Sequence, residues 1–173
     1  MGIRWRHALA RFDHRLFWYL HLRLARGWLD RFMRVYTHLG GFGSTVGTSS
    51  LLLAMGGEMR RAGLAALTAL VTSHLVVRLL KRHTERPRPY LVLADSRSVV
   101  APLPDYSFPS GHTAASFALA TVVAVGAAIL VGLSRTYLGH HYPSDVLAGA
   151  VIGMLFAYLS LLHFGAQAPL LVE

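Results

Sequence analysis

Thr113–Leu133 reads TAASFALATVVAVGAAILVGL, 21 residues without Asp, Glu, Lys or Arg. An uncharged run of this length suits a helix crossing a hydrocarbon core of about 30 Å. Its flanks argue against one straight crossing. Phe108-Pro109-Ser110-Gly111-His112 precedes it and Ser134-Arg135 follows it, both rich in groups that bind anions. A single helix would carry Arg135 about 35 Å from His112, onto the opposite membrane face. For the two flanks to serve one site the run must double back. Gly126 is the expected breaker, leaving two arms of about ten residues that each reach about 15 Å. Arms of half the bilayer depth need shelter from neighbouring helices.

Three other apolar runs surround this one. Val35–Gly57 carries no charge but is rich in Gly, Ser and Thr; Ala62–Leu80 is apolar apart from His74 and Arg78; Val146–Leu162 can lengthen through His163 toward Val172. Arg78 lies close enough to an end of its run to snorkel. Of the 173 residues 54% are hydrophobic and only 14% charged, against about 25% charged in an ordinary soluble domain. The mean hydropathy is +0.45. Four such runs leave too little polar surface for a soluble core. The expectation is an all-α, polytopic membrane helical bundle forming a single domain over residues 1–173, without internal repeats or linkers.

The charge is concentrated. Of 17 basic residues 16 are Arg and only Lys81 is Lys, and eight Arg lie between Arg4 and Arg34; with eight acids the formal net charge is +9. In a polar chain that balance would suggest nucleic acid. In an apolar chain it points to an anionic membrane surface or an anionic substrate, and no nucleic-acid partner is expected. Within residues 1–34, Trp5, Leu9, Phe12, Leu16, Leu20 and Leu24 recur near helical spacing while Arg residues interleave. This pattern predicts an N-terminal amphipathic helix in the membrane interface. The absence of Cys excludes cysteine phosphatases, zinc–thiolate sites, iron–sulfur clusters and disulfides.

The turn Glu58-Met59-Arg60-Arg61 faces the cytoplasm by the positive-inside rule, so Lys81 and the polar loops after it face outward. The Arg-rich N-terminus then lies outside too, unless part of residues 14–34 crosses the bilayer.

Three clusters carry chemistry. Lys81-Arg82-His83-Thr84-Glu85-Arg86-Pro87-Arg88-Pro89 ends in two X-Pro steps that disfavour helix. Its cations suit a fixed anion-binding wall, Arg as a planar fork and Lys as a point charge; ordinary flanking charge at a membrane edge reads the same way. In Pro109-Ser110-Gly111-His112, Ser110 is placed as an N-cap, Gly111 admits a ligand to the backbone, and the free N–H groups of a helix start attract an anion. His112 stands at that helix start and could protonate a leaving oxygen; a plain cap with an interfacial His is the bland alternative. In the third cluster, Ser134-Arg135 is followed by His141 and Asp145, with Tyr142-Pro143-Ser144 between them. His141 is expected in a loop and Asp145 at the next helix start. A carboxylate within hydrogen-bond reach of one imidazole nitrogen fixes the tautomer and leaves the other nitrogen free to attack. A metal held by His112, His140, His141 and Asp145 is disfavoured, because adjacent histidines in an extended segment point to opposite sides.

Together these residues resemble the type 2 phosphatidic acid phosphatase (PAP2) superfamily, which includes haloperoxidases and bacterial acid phosphatases. Its first motif, Lys, six residues, Arg-Pro, matches Lys81 to Arg88-Pro89. Its second, Pro-Ser-Gly-His, matches Pro109 to His112. Its third, Ser-Arg, five residues, His, three residues, Asp, matches Ser134, Arg135, His141 and Asp145. The catalytic motifs thus span residues 81–145. The resemblance implies that Lys81, Arg88 and Arg135 hold the phosphate oxygens with the Ser110 hydroxyl and the Gly111 N–H. It implies His141 as the nucleophile forming a phosphohistidine, Asp145 as its orienting group, and His112 as the acid on the leaving group. No metal and no cofactor is expected, since three cations can stabilise a phosphoryl transition state. One departure stands out: relatives place two membrane helices between the second and third motifs, where this chain has only the 21-residue run.

The expected activity is hydrolysis of a lipid phosphate or diphosphate at the outer face of a cell membrane, with polyprenyl diphosphate, phosphatidylglycerol phosphate and phosphatidic acid as candidates. Lipid phosphotransfer, a non-catalytic module binding anionic lipid, and a vanadate-dependent oxidase are the competing readings. The oligomeric state is not legible.

Overall fold

The structure is a computed structural model that describes residues 2–120 and 125–164. All regular elements among the described residues are helical. Helix α1 (Gly2–Trp18) runs through a π-helical turn, Tyr19–Arg23, and is followed by α2 (Gly27–Tyr36), a 3-10 turn Thr37–Gly40, α3 (Phe42–Ala54) and the long α4 (Gly57–Thr84). A short α5 (Pro89–Val92) precedes α6 (Gly111–Leu119), α7 (Val125–Tyr137) and α8 (Pro143–Phe164).

Among the described residues, two helices are long and apolar enough to span a bilayer. The 28 residues of α4 measure about 42 Å and the 22 residues of α8 about 33 Å. Small residues let them approach their neighbours. The buried stripe of α8 is Gly149, Ala150, Gly153, Ala157 and Ser160, and a Cβ on Gly149 or Gly153 would overlap the Ser110 or Ala114 carbonyl of α6. Close backbone approach through small residues is how helices gain contact where lipid is as apolar as leucine. Ala69 and Leu70 of α4, Ala118 of α6 and Ala157 of α8 form one buried cluster. The opposite faces are apolar and open, with Leu79 on α4 and Leu147, Val151 and Leu162 on α8 all exposed, as a lipid-facing surface requires.

The run Val35–Gly57 yields only the 13 residues of α3, about 20 Å, because glycines punctuate it. Gly41 caps the start of α3 in an extended conformation. Gly56 and Gly57 take φ of 78° and 53° and turn the chain into α4. Gly63 lies against the Leu53 and Ser49 backbone, so α3 and α4 form a tight hairpin.

The run Thr113–Leu133 does double back. Phe117 and Ala120 at one end pack with Ala128, and Gly132 lies beside Thr113, so α6 and α7 are antiparallel. The break is not at Gly126, which sits inside the first turn of α7. A glycine there carries no positive φ and a Cβ on it would meet nothing; a helix start tolerates glycine, because its N–H groups lack helical acceptors anyway. Helix α6 ends at Leu119 and α7 is described from Val125; residues 121–124 lie outside the described ones. Helix α6 spans nine residues, about 14 Å, and is buried from Phe117 to Leu119, which supplies the shelter a half-depth arm needs.

The N-terminal segment is two helices rather than one, interrupted at residues 24–26. Its apolar stripe faces outward, with Leu9 and Phe12 exposed, while the inward stripe is Asp13, Phe17 and His21, all buried. That stripe docks on the end of the bundle that carries the polar loops, so residues 14–34 do not cross the bundle.

A valine at Gly149 should force α8 away from the Ser110 corner. Overpacking of this kind costs about 1–3 kcal/mol, so thermal unfolding in detergent should show a lowered midpoint.

Candidate active site

Helix α4 delivers Lys81 to the head of the bundle and then stops. Glu85 takes a left-handed φ of 47°, and Arg86-Pro87-Arg88 runs extended, with Arg88 at φ −74° and ψ 149°. This stiff strap returns Arg88 over the helix ends, where it is 1% exposed. Its guanidinium is fixed by main-chain carbonyls: Nε donates to Asp105 O at 2.8 Å, Nη1 to His140 O at 3.0 Å and Nη2 to Tyr106 O at 3.2 Å. Lys81 Nζ also reaches the Tyr106 carbonyl.

Ser110 caps α6 as expected. Its hydroxyl oxygen accepts from the Thr113 N–H at 3.4 Å and lies 2.9 Å from Thr113 Oγ1, while its own N–H donates to the Asp145 carbonyl at 2.9 Å. Gly111 and His112 follow at the head of α6 and border the same cavity as Lys81, Arg88 and His141.

Arg135, 2% exposed, comes from the last turn of α7. Its Nη1 donates to Thr37 Oγ1 at 3.0 Å, and Nη2 lies 3.3 Å from His140 Nδ1. Its Nε is buried without a hydrogen-bond partner. An unpaired buried guanidinium N–H is costly, and a phosphate oxygen is the acceptor its chemistry suits.

His141 is 1% exposed. Its Nδ1 lies 2.7 Å from Ser107 O. A carbonyl can only accept, so Nδ1 carries the proton and Nε2 keeps its lone pair, which faces Arg88 Nη1 at 3.1 Å. Asp145 Oδ2 stands 3.7 Å from Nδ1, beyond hydrogen-bond reach, so the expected direct contact is replaced by the Ser107 carbonyl. Burial, with Arg135 and Arg88 close by, holds the His141 imidazole well below its ordinary value of 6.5. The same causes push His140 down to about 3.

All eight sequence-predicted residues therefore meet at one end of the bundle. Lys81, Arg88, Gly111, His112 and His141 border the cavity; Ser110, Arg135 and Asp145 stand buried behind it. Among the described residues no group of three His, Asp or Glu is arranged to hold a metal ion. His140, weighed as a ligand above, has Nε2 against Ser98 Oγ at 2.8 Å and Nδ1 against Arg135.

Several residues escaped the sequence reading. Asp105 faces the cations, with Oδ1 on Arg88 Nη2 at 2.5 Å and Oδ2 on Lys81 Nζ at 3.1 Å. Burial alone would raise its carboxyl, but Lys81 and Arg88 outweigh that and hold it below the usual carboxylate value. Arg86 bridges two buried carboxylates, reaching Asp145 Oδ1 and Asp13 Oδ2 at 2.7 Å each, and lies over the Tyr142 ring at 3.9 Å. Asp13 also accepts from the Ser144 N–H at 2.8 Å, and Asp145 from the Tyr142 N–H at 2.8 Å. Asp30 pairs with Arg97 at 3.0 Å and accepts from Tyr137 Oη at 2.6 Å. His21 lies between the Tyr137 carbonyl, 2.6 Å from Nδ1, and the Arg97 N–H, 3.1 Å from Nε2. A signal existed for the two aspartates: they are the only acids in the first 57 residues of an Arg-rich segment.

A profile of the PAP2 superfamily matches residues 62–168. The chain belongs to the PAP2 superfamily. It is 32% identical over 159 residues to phosphatidylglycerophosphatase B of Bacillus subtilis (strain 168), covering 76% of this chain and 73% of that protein. To undecaprenyl-diphosphatase BcrC of the same organism it is 30% identical over 108 residues, 57% of this chain and 53% of that one. The crystal structure of the first transmembrane PAP2 type phosphatidylglycerolphosphate phosphatase from Bacillus subtilis superposes with a TM-score of 0.79 at 26% identity, over 94% of this chain and 89% of that one. The PAP2 chain described here is thus a membrane helical bundle and a hydrolase of phosphoester bonds.

Two measurements check this geometry. Arg86→Met leaves two buried carboxylates unpaired and should cost about 3–5 kcal/mol of stability; the double variant with Asp13→Asn should lose less than the sum of the single changes in detergent unfolding. In ¹⁵N-histidine NMR, His141 should remain the neutral Nδ1–H tautomer at pH 5. The unfolded imidazole takes up a proton near 6.5 and the buried one does not, so stability should fall as pH drops below 6.5. A His141 signal titrating at 6.5 would contradict the buried geometry.

Proposed function

We propose that this PAP2 protein hydrolyses a lipid phosphate or diphosphate through a phosphohistidine on His141, without a metal, at the extracytoplasmic face of the cell membrane. The observation that carries the reading is the orientation of His141: Nδ1 is tied to the Ser107 carbonyl, while Nε2 keeps its lone pair, accepts from Arg88 Nη1 at 3.1 Å, and belongs to a residue that borders the cation-lined cavity. That cavity, about 500 Å³, continues between α3, α4 and α6 along apolar side chains such as Leu67, Leu70 and Val71, which suits a headgroup at the cations and an acyl or prenyl chain below. The relatives' names, a phosphatidylglycerophosphatase and an undecaprenyl-diphosphatase, point to the same class of substrate.

The steps follow from the placement. A phosphate entering the site displaces the Asp105 carboxylate from Lys81 and Arg88, takes the Arg88 Nη1 hydrogen bond from His141 Nε2, and gives Arg135 Nε its missing acceptor. The His141 Nε2 lone pair attacks phosphorus, a P–N bond forms, and the P–O bond to the lipid breaks with its electron pair on the leaving oxygen. His112, as the imidazolium, donates its proton to that oxygen. Neutral His112 then takes a proton from water as the water attacks phosphorus; the P–N bond breaks, inorganic phosphate leaves, and Nε2 regains its lone pair. Positioning and fixed positive charge supply the catalysis.

The orientation rests on Arg60 and Arg61 at the far end of α4 from Lys81. The Arg-rich N-terminal helices lie at the site's own end, and their charge taken alone gives the reverse orientation. Because the chain has no Cys, single cysteines report cleanly: one at Asp95 should react with an impermeant maleimide in intact cells, and one at Glu58 only after permeabilisation. The converse pattern would place the site in the cytoplasm.

Detergent-purified protein in excess chelator should release phosphate from lipid phosphates. His141→Ala should abolish turnover, and Asp145→Asn should reduce it while keeping substrate binding. Near wild-type turnover by His141→Ala would end the phosphohistidine reading.

A further inference from the structure

The cavity wall contributed by α4 is graded. Leu67, Leu70, Val71, His74, Arg78 and Lys81 all border it, a spacing that keeps them on one helix face. The lower half of this stripe is aliphatic and the upper half is basic. Arg78 stands one turn below Lys81, about 4.5 Å toward the membrane interior, and His74 about 10.5 Å below.

The phosphohistidine chemistry does not use these two residues. Lys81 and Arg88 hold Asp105 and Arg135 holds Thr37, whereas Arg78 has no ion-pair partner among the described residues. An ionisable side chain inside an apolar span is costly, and those that face a cavity mark a substrate path. Arg78 and His74 are both exposed on the cavity's open side; snorkelling accounts for a basic residue near a helix end, and a place on the lining shared with His141 puts the same charge on the substrate's route.

We infer that Arg78, with His74 beneath it, forms a second anion subsite on the leaving-group side, and that the substrate is a lipid carrying a second phosphoryl group next to the scissile one. The inference rests on the phosphatase reading above. With the scissile phosphate at Lys81, Arg88 and His141, the leaving group must run down the cavity past Arg78. In a lipid diphosphate the second phosphate is bonded directly to the departing oxygen. In a glycerol-bridged lipid it stands a few bonds further on. Either places an anion along the basic stripe, whereas phosphatidic acid offers only uncharged esters there.

The test uses the full chain in detergent with chelator and two matched pairs: farnesyl diphosphate against farnesyl phosphate, and phosphatidylglycerol phosphate against phosphatidic acid with the same acyl chains. The readout is the ratio of kcat/KM within each pair. Wild type should favour the two-phosphate member in at least one pair, and that pair identifies the bridging chemistry. Arg78→Gln should lower that ratio about tenfold or more, the weight of one charge-assisted hydrogen bond. Arg78→Lys should keep most of it. Arg82→Gln, the same charge change on the same helix away from the cavity lining, should leave it in place.

An Arg78→Gln ratio equal to wild type, in protein with an unchanged unfolding midpoint, would overturn the subsite and leave Arg78 as a snorkelling residue. Preference for the one-phosphate lipids in both pairs would overturn it while the phosphatase reading stands. No release from any of the four lipids by wild type would overturn that reading and the subsite with it.

Discussion

The bridge from Arg86 to Asp13 and Asp145 is the contact on which the site's geometry depends. It joins three separate parts of the chain: the N-terminal helix, the strap after α4, and the start of α8. Two buried carboxylates without a cation would repel each other and pay heavily for desolvation. With Arg86 between them, Asp145 is free to accept from Tyr142 N–H and Asp13 to accept from Ser144 N–H. The loop that carries His141 is thereby clamped from both sides. The strap held by Arg86 is also the one that brings Arg88 over His141, so the cations and the proposed nucleophile share one support.

Against this support stands a concentration of positive charge. Lys81, Arg88 and Arg135 converge where little solvent reaches them, and Asp105 is the counter-ion on two of them. Its side chain is 52% exposed and sits on a loop rather than a helix, so a phosphate can displace it without unpacking the bundle. Arg88 is further restrained by three main-chain carbonyls, which fix its fork before a ligand arrives. A site that needs little reorganisation is what phosphoryl transfer by positioning demands.

Much of this was legible in the sequence. Spacing alone placed Ser110 at a helix start, His141 in a loop and Asp145 in the first turn of the next helix. The flanks of Thr113–Leu133 required a reversal that composition by itself would have missed. Gly126 was the wrong place for it, because a glycine near a helix start satisfies no special backbone need, whereas Gly56 and Gly57 take positive φ and do make a turn. The partner of His141 Nδ1 could not be read, since a main-chain carbonyl such as that of Ser107 has no side-chain signature. Nor could the inward face of α1. Its apolar periodicity is real, but Asp13 and His21 turn inward because their partners lie 73 or more residues away in sequence, and hydrophobic spacing records nothing of such contacts.

The proposed chemistry requires a buried, neutral His141 that presents Nε2 to phosphorus. Rapid quench of a single turnover into alkali, where a phosphohistidine survives, followed by peptide mapping, examines that requirement. Phosphate should be found on His141, bonded at Nε2, appearing with the released lipid and decaying as inorganic phosphate forms. Phosphate on His112 or His140, or full turnover with none on His141 at any time, would contradict it.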